Sequence, residues 1–305
     1  MTPFVSVIIP NYNHQLYLNK RLDSVLNQTY QNFEIIILDD CSTDNSRNTI
    51  EYYRNNKKVT EIVYNDTNSG STFIQWERGL SLAKGKLIWI AESDDYCENN
   101  FLQTLVCMME SEQNIGLTYC KSIRVDENEK YIDDLSFWYE EFKTKRWDSN
   151  FINSGINEIN YFLYKKNTIP NASAVLFKKE LIQFDLKELR EFFLCGDWLF
   201  WIHLLEKTQI GYSSKELNFF RTHNQTVRSS NKAEIVGNEE RKKVYNYLLQ
   251  HKLISKSKYK MAKTLNQQSG KDCKSKNWLC FLPSKKEFII PPIKSLIFTM
   301  IKKKK

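Results

Sequence analysis

Leu87-Ile88-Trp89-Ile90-Ala91-Glu92-Ser93-Asp94-Asp95-Tyr96 decides how the rest of the chain is read. Five residues run without a charge and then meet three carboxylates in four positions. An unbroken apolar run is typical of a parallel strand covered on both faces, and ligands of open α/β sheets gather outside the carboxyl ends of such strands. Glu92, Asp94 and Asp95 therefore stand where a ligand is expected. Carboxylates this close repel one another and are hard oxygen donors, so a Mg²⁺ or Mn²⁺ carrying a diphosphate is a natural occupant. A solvated acidic turn is the alternative that this stretch alone leaves open.

Upstream, strand and helix patterns alternate. Residues 4–9 are β-branched and apolar and break at Pro10, Pro10-Asn11-Tyr12-Asn13 is a turn, and residues 16–26 carry helical spacing at Leu18, Leu22, Val25 and Leu26. The turn holds neither G-x-G-x-x-G nor a closing Gly-Lys-Ser/Thr, which sets aside the dinucleotide-binding and P-loop folds. A second strand over 33–38 runs into Asp39-Asp40-Cys41-Ser42-Thr43-Asp44-Asn45-Ser46. Asp44 and Ser46 read as caps of the helix through Ile50 and Tyr53. Asp39 and Asp40 form a pair able to accept the ring N–H of a pyrimidine. A third strand over 60–64 and a helix over 73–83, with Gly85 as its C-cap, complete three alternations. That order calls for a parallel sheet with right-handed crossovers.

Downstream, residues 100–111 form an amphipathic helix and 115–120 another strand. From 124 to 164 the pattern loosens into aromatic and charged segments, either an acceptor-binding insertion or an irregular connection. Pro170-Asn171-Ala172-Ser173 has small residues before a strand, which suggests close backbone packing near a site. Asp197 is a single acid in the aromatic run 192–202, and an acid is almost never fully buried without a partner. It is a helix N-cap, a positioned functional acid, or both. Residues 210–212 and 217–221 are short strand-like pieces leading to Thr222-His223-Asn224, where Arg221 and His223 are within sequence reach of a diphosphate.

The formal net charge of +8 hides a division. Residues 231–305 hold 19 Lys/Arg and 5 Asp/Glu, a balance of +14, which leaves −6 for residues 1–230. The expected organisation is a globular body over 1–230 and a helical, lysine-rich extension over 231–305. The last segment is apolar but interrupted by Pro291, Pro292 and Lys294 before four terminal lysines. It is shorter than the ~20 residues a span requires, and its composition suits the interface of an anionic leaflet. The seven cysteines include no C-x-x-C pair and the N-terminus has no apolar leader, which points to a reducing, cytoplasmic setting on the inner face of the membrane. A basic extension also suits nucleic acid, so a non-enzymatic lipid- or nucleic-acid-binding protein is a further alternative.

Val5-Ser6-Val7-Ile8-Ile9-Pro10-Asn11-Tyr12-Asn13, Asp39-Asp40-Cys41-Ser42-Thr43-Asp44, Asn68-Ser69-Gly70, Arg78-Gly79, Ala83-Lys84-Gly85 and Glu92-Ser93-Asp94-Asp95 occur in that order. Together they resemble the family 2 glycosyltransferases of the GT-A fold, over about residues 3–225. The resemblance implies a three-layer α/β/α body with a mostly parallel central sheet. It also implies metal-dependent, inverting transfer of a sugar from a nucleoside diphosphate, UDP above all, to a saccharide or lipid-linked hydroxyl in bacterial surface polysaccharide synthesis, without nucleic acid. By it, Asp40 binds the N3–H of uracil or thymine, with Asp39 beside it and Pro10, Tyr12 and Asn13 shaping the pocket. Asp94 faces the ribose or metal, Asp95 binds Mn²⁺ or Mg²⁺, and Glu92 replaces the usual first Asp of the D-x-D motif. Trp76 stands where many members have an Arg near the phosphates. Asp197 matches the catalytic base that precedes a Trp-rich helix. A sugar-phosphate nucleotidyltransferase is the competing enzyme, but Pro10-Asn11-Tyr12-Asn13-His14 lacks the Gly-rich loop and Lys of that group.

Overall fold

The computed structural model describes the backbone of residues 4–223 and 231–272 and the side chains of 4–223 and 236–266. The apolar and lysine-rich tail lies outside the described residues. Strands β1 (Val5–Asn11), β2 (Phe33–Asp39), β3 (Val59–Tyr64) and β4 (Leu87–Ile90) alternate with helices α1 (Gln15–Leu26), α2 (Ser46–Tyr53) and α3 (Thr72–Leu82). There follow β5 (Tyr96–Cys97), α4 (Phe101–Ser111), β6 (Ile115–Val125), β7 (Tyr131–Asp133), β8 (Phe151–Ser154), α5 (Gly155–Glu158), β9 (Val175–Lys178), α6 (Gly196–Leu205), β10 (Gln209–Arg221), α7 (Asn231–Gln250) and α8 (Lys256–Asp272).

The main path of the sheet is β3-β2-β1-β4-β9-β6-β10-β5, with β7 on β6 and β8 on β10. β1 to β4 are mutually parallel, β9 is antiparallel to both β4 and β6, and β10 is parallel to β6. Six strands therefore share one direction, and the sheet is mixed with mostly parallel character. Strand order runs outward from β1 to β3 and returns on the other side of β1 as β4. The carboxyl ends of β1 and β4 thus flank a topological switch point, where open α/β sheets bind ligands.

Alternation along these strands explains their unbroken apolar runs. Val5, Val7 and Ile9 of β1, Ile35 and Ile37 of β2, and Leu87 and Trp89 of β4 enter one core with α1, α2 and α4. Ile8, Ile36, Leu38, Ile88 and Ile90 enter the other core with α3, α6, α7 and α8. β1, β2 and β4 are covered on both faces, so a polar residue within them needs a partner. Glu34 is such a case, 2% exposed. It accepts from Ser6 Oγ at 2.6 Å, Thr60 Oγ1 at 3.0 Å and the Lys84 amide at 2.7 Å.

Three sequence expectations change. The C-cap of α3 is Ala83, not Gly85. Gly85 is instead small because its backbone crosses β1: a Cβ there would lie 2.6 Å from the Ser6 amide nitrogen and 2.7 Å from the Val5 carbonyl carbon. The pieces 210–212 and 217–221 are one strand, β10, whose pairing with β6 shifts register between Ser213 and Glu216 and again before Asn218. Those irregularities break the period-two pattern and made one strand read as two. The loose stretch 124–164 contains β7, β8, α5 and short 3₁₀ and π turns.

Val244, Tyr245, Tyr247 and Leu248 of α7 and Ala262 of α8 belong to the same core as α6. No helix among the described residues is long and apolar enough to cross a membrane. Gly85→Ala should destabilise the fold by about 1–3 kcal/mol, the usual cost of overpacking, read as a lower denaturation midpoint at unchanged m-value; an unchanged midpoint would show that the β1 crossing gives way freely.

Candidate functional site

The acidic turn after β4 separates two adjacent carboxylates by environment. Asp95 is 1% exposed. Its Oδ1 accepts the Arg221 main-chain N–H at 2.9 Å and its Oδ2 accepts Asn171 Nδ2 at 2.9 Å, with Arg21 Nη2 at 3.9 Å. Asp94 faces the other way, where His223 Nε2 lies 3.2 Å from its Oδ2. His14, three residues past β1, places its Nδ1 2.8 Å from Ser93 Oγ and its ring 5.4 Å from that of His223. Ligand atoms of His14, Asp94 and His223 all fall within 4.8 Å of one another, the one such trio among the described residues.

Of the two expected metal ligands, Asp94 is the carboxylate that meets the two imidazoles, while Asp95 faces inward toward Arg221 and Asn171. The donor set fits a divalent cation. One carboxylate and two imidazoles, completed by diphosphate oxygens, suit Mn²⁺ better than the all-oxygen preference of Mg²⁺. Burial holds the His14 imidazole below its ordinary value of 6.5, although Asp94 pulls it upward, so a ring lone pair is available at neutral pH. Burial alone would raise Asp94, but His14 and the His223 hydrogen bond outweigh it and hold the carboxyl below its ordinary range. Asp95 moves the opposite way, raised by burial and then by Asp94.

Glu92 has a different environment again. Its Oε1 accepts Trp76 Nε1 at 2.9 Å, its amide donates to Ser173 Oγ at 3.0 Å, and its carbonyl accepts Arg21 Nε at 2.8 Å. Burial first, then Asp94 and Asp95, push its carboxyl from 4.5 up to about 8. The segment 170–174 does lie against this turn, through Asn171 on Asp95 and Ser173 on both Glu92 and Trp89 Nε1.

At the end of β2, Asp39 is fully buried and accepts from Asn11 Nδ2 at 3.0 Å, the Ser42 amide at 3.1 Å and Arg47 Nε at 3.2 Å. Asp40 is 5% exposed and accepts from Asn65 Nδ2 at 2.6 Å, the Ser69 amide at 2.9 Å, Ser69 Oγ at 2.7 Å and Gln75 Nε2 at 2.9 Å. These four donors make Asp40 the anchor of the 65–71 loop. Pro10 is buried within β1, while Tyr12 is 45% exposed beside it. Asn13 adopts a left-handed φ of 57°. Its Oδ1 accepts from the amides of Thr43 and Asp44 at 2.7 and 3.3 Å, joining the two turns.

Arg221 lies behind the acidic turn. Its guanidinium is spent on the carbonyls of Asp94 at 2.8 Å, Asp126 at 3.3 Å and Glu127 at 3.1 Å and on Glu129 at 3.4 Å, between the rings of Tyr17 and Tyr96. It ties loops together and is 1% exposed.

Asp197 lies in the first turn of α6, whose N-cap is Cys195, so it is not the cap. Its Oδ1 accepts the Trp198 amide at 2.7 Å and its Oδ2 accepts Asn167 Nδ2 at 3.1 Å. Gly196 is needed beside it because a Cβ there would meet the Phe73 ring at 2.6 Å. Behind Asp197, Phe200 and Trp201 pack on Trp76 with centroids 5.7 and 6.0 Å away. The indole that holds Glu92 thus also touches the helix of Asp197. Sequence reasoning missed His14, Asn167 and Asn171. His14 left a signal as an imidazole within a few residues of a strand end at the switch point, and Asn171 as part of the small-residue stretch 170–173.

The family description "Glycosyl transferase family 2" matches residues 6–169, more than half of the chain. Glycosyltransferase GlyG of Streptococcus pneumoniae is 36% identical over 105 residues, 34% of this chain and 35% of GlyG. The poly(ribitol-phosphate) β-N-acetylglucosaminyltransferase TarS of Staphylococcus aureus is 33% identical over 113 residues, 36% of this chain and 19% of TarS. The alignments thus span less than half of these relatives. The crystal structure of S. aureus TarS 1–349 in complex with UDP-GlcNAc superposes with a TM-score of 0.62 at 20% identity, covering 80% of this chain and 66% of that one. The likeness extends to the fold, a mixed α/β body around a mostly parallel sheet.

A native pKa of about 8 for Glu92, against 4.5 ordinarily, means that the folded chain keeps a proton the unfolded chain has lost between those values. Its contribution to stability therefore falls as pH rises from about 4.5 to 8. Glu92→Gln should melt progressively higher relative to the unsubstituted chain across that window in cation-free buffer. A difference constant with pH would mean that Glu92 titrates normally.

Proposed function

Because the chain belongs to glycosyl transferase family 2, we propose that it transfers a sugar from a nucleoside diphosphate to an acceptor hydroxyl with inversion, in the assembly of a bacterial surface polysaccharide. The observation that carries this reading is the trio at the β1/β4 switch point, His14, Asp94 and His223, together with a separate acid, Asp197, at the head of α6. Two chemically distinct centres on different elements suit a reaction that must hold a leaving group on one side and activate a nucleophile on the other.

In this reading the Asp197 carboxylate takes the proton of the acceptor hydroxyl. The freed oxygen pair forms the new bond to the anomeric carbon as the bond to the diphosphate breaks, its electrons leaving on the phosphate oxygen. The contact from Asn167 fixes the carboxylate, and burial among the α6 aromatics limits competing water. A divalent cation, held by Asp94, His223 and His14, would neutralise charge on the departing diphosphate. Tyr12 offers an exposed ring beside the β1 end on which a base can stack. UDP is the favoured nucleotide, supported by the UDP-GlcNAc complex of TarS. Docking of residues 284–305 on an anionic leaflet belongs to the same reading and rests on their composition.

Asp197→Asn should lower kcat by about 10²–10⁴-fold while sugar-nucleotide binding persists, measured with a panel of sugar nucleotides. Near-normal turnover would reduce Asp197 to a structural role. Asp94→Asn should abolish the Mn²⁺-dependent part of UDP binding by isothermal titration; retention of that part would place the cation elsewhere.

A further inference from the structure

Helix α6 begins without a local cap. Its N-cap residue, Cys195, makes no side-chain capping bond, and the sequence offers no Ser, Thr, Asp or Asn at that position. The missing acceptor arrives from more than forty residues away. Glu240 of α7, 5% exposed, accepts the Phe193 amide at 2.6 Å on Oε1 and the Leu194 and Cys195 amides at 2.8 Å each on Oε2. Three consecutive main-chain N–H groups converging on one point form a nest of the sort that ordinarily receives an anionic ligand. Here the chain fills it with its own carboxylate, at the positive end of the α6 dipole.

We propose that Glu240 is the positioning residue for Asp197, and that α7 is thereby part of the catalytic machinery. The inference rests on the reading of Asp197 as the base. Asp197 is two residues beyond the last amide that Glu240 holds, so the clamp sets the path by which the chain enters the first turn of α6. The same helix also secures the opposite side. Tyr245 Oη donates to the Lys165 carbonyl at 3.3 Å, two residues before the Asn167 that holds Asp197 Oδ2. The Tyr245 ring meets that of Trp198 edge-on at 5.7 Å. Asp197 is therefore bracketed by two loops, both tied to α7, while the trio at the switch point is built from β1, β4 and β10 without it. Loss of the clamp should disturb proton abstraction and spare the nucleotide.

The test uses the full chain, with Glu240→Ala and Glu240→Gln, measuring kcat, donor KM and Mn²⁺-dependent UDP binding. The expected result is a kcat at least tenfold lower for Ala at unchanged donor KM and UDP affinity, with Gln, which keeps one carbonyl acceptor, recovering part of the loss. If Glu240 is only a staple, both variants melt earlier but the folded fraction turns over at the normal rate, which overturns the proposal. Should the Ala variant fail to fold, the near-isosteric Gln variant carries the same comparison: lower kcat at unchanged KM supports the clamp, and a normal kcat overturns it. A wild-type chain that turns over no sugar nucleotide would sink the reading of Asp197 itself and this inference with it. That failure is seen in the unsubstituted protein, so the two are told apart.

Discussion

The Asp95 carboxylate accepts a main-chain N–H from Arg221, far along the chain, and a side-chain N–H from Asn171, with the Arg21 guanidinium nearby. A buried carboxylate is costly unless paired and hydrogen-bonded, and removing one partner of such a group commonly costs about 3–5 kcal/mol. The consequence is geometric as much as energetic. With Asp95 fixed inward, the preceding residue of the turn must face the cleft, and Asp94 meets His223 there. Arg221 completes the arrangement by donating to the Asp94 carbonyl. The end of β10 is thus welded to the end of β4 although β9 and β6 lie between them in the sheet, and His223 is delivered to the trio by that weld.

A second constraint joins the donor end to α6. Trp76 lies in the core that contains Phe200 and Trp201, and its one polar atom reaches Glu92. The acidic turn and α6 thus share one close-packed aromatic layer. From the other side, α7 holds the entry to α6 through Glu240. Asp197 therefore sits between an aromatic layer and a polar clamp, and neither is local in sequence.

The first half of the fold was legible because β1, β2 and β4 are buried on both faces and each connecting helix carries its own apolar stripe. Periodicity there is set by burial alone. Legibility failed at β10, where register shifts disrupt alternation, and at 124–164, where short turns are held by non-local contacts such as Trp147 Nε1 to Tyr119 Oη and Trp138 Nε1 to the Asn167 carbonyl. In the site, residue type was informative and residue role was not. Asp39, Asp40, Asp95 and Arg221 are charged residues at the ends of strands, yet all four are occupied by protein donors or acceptors. Sequence shows where charge collects; only the count of partners shows which charge is left over for a ligand. Asp94 is the one that meets two imidazoles, and it was legible only as one of three.

Glu92 and Trp76, sixteen residues apart, are joined in one hydrogen bond. Trp76 brings a neutral donor, and burial, then Asp94, raise the Glu92 carboxyl to about 8 against the pull of that hydrogen bond and of Arg21. Asp94 is held the other way, below its ordinary range, by His14 and His223. The remaining ionised carboxylate on the open side of the turn is Asp94, which concentrates the turn's attraction for a cation on the residue that His14 and His223 surround.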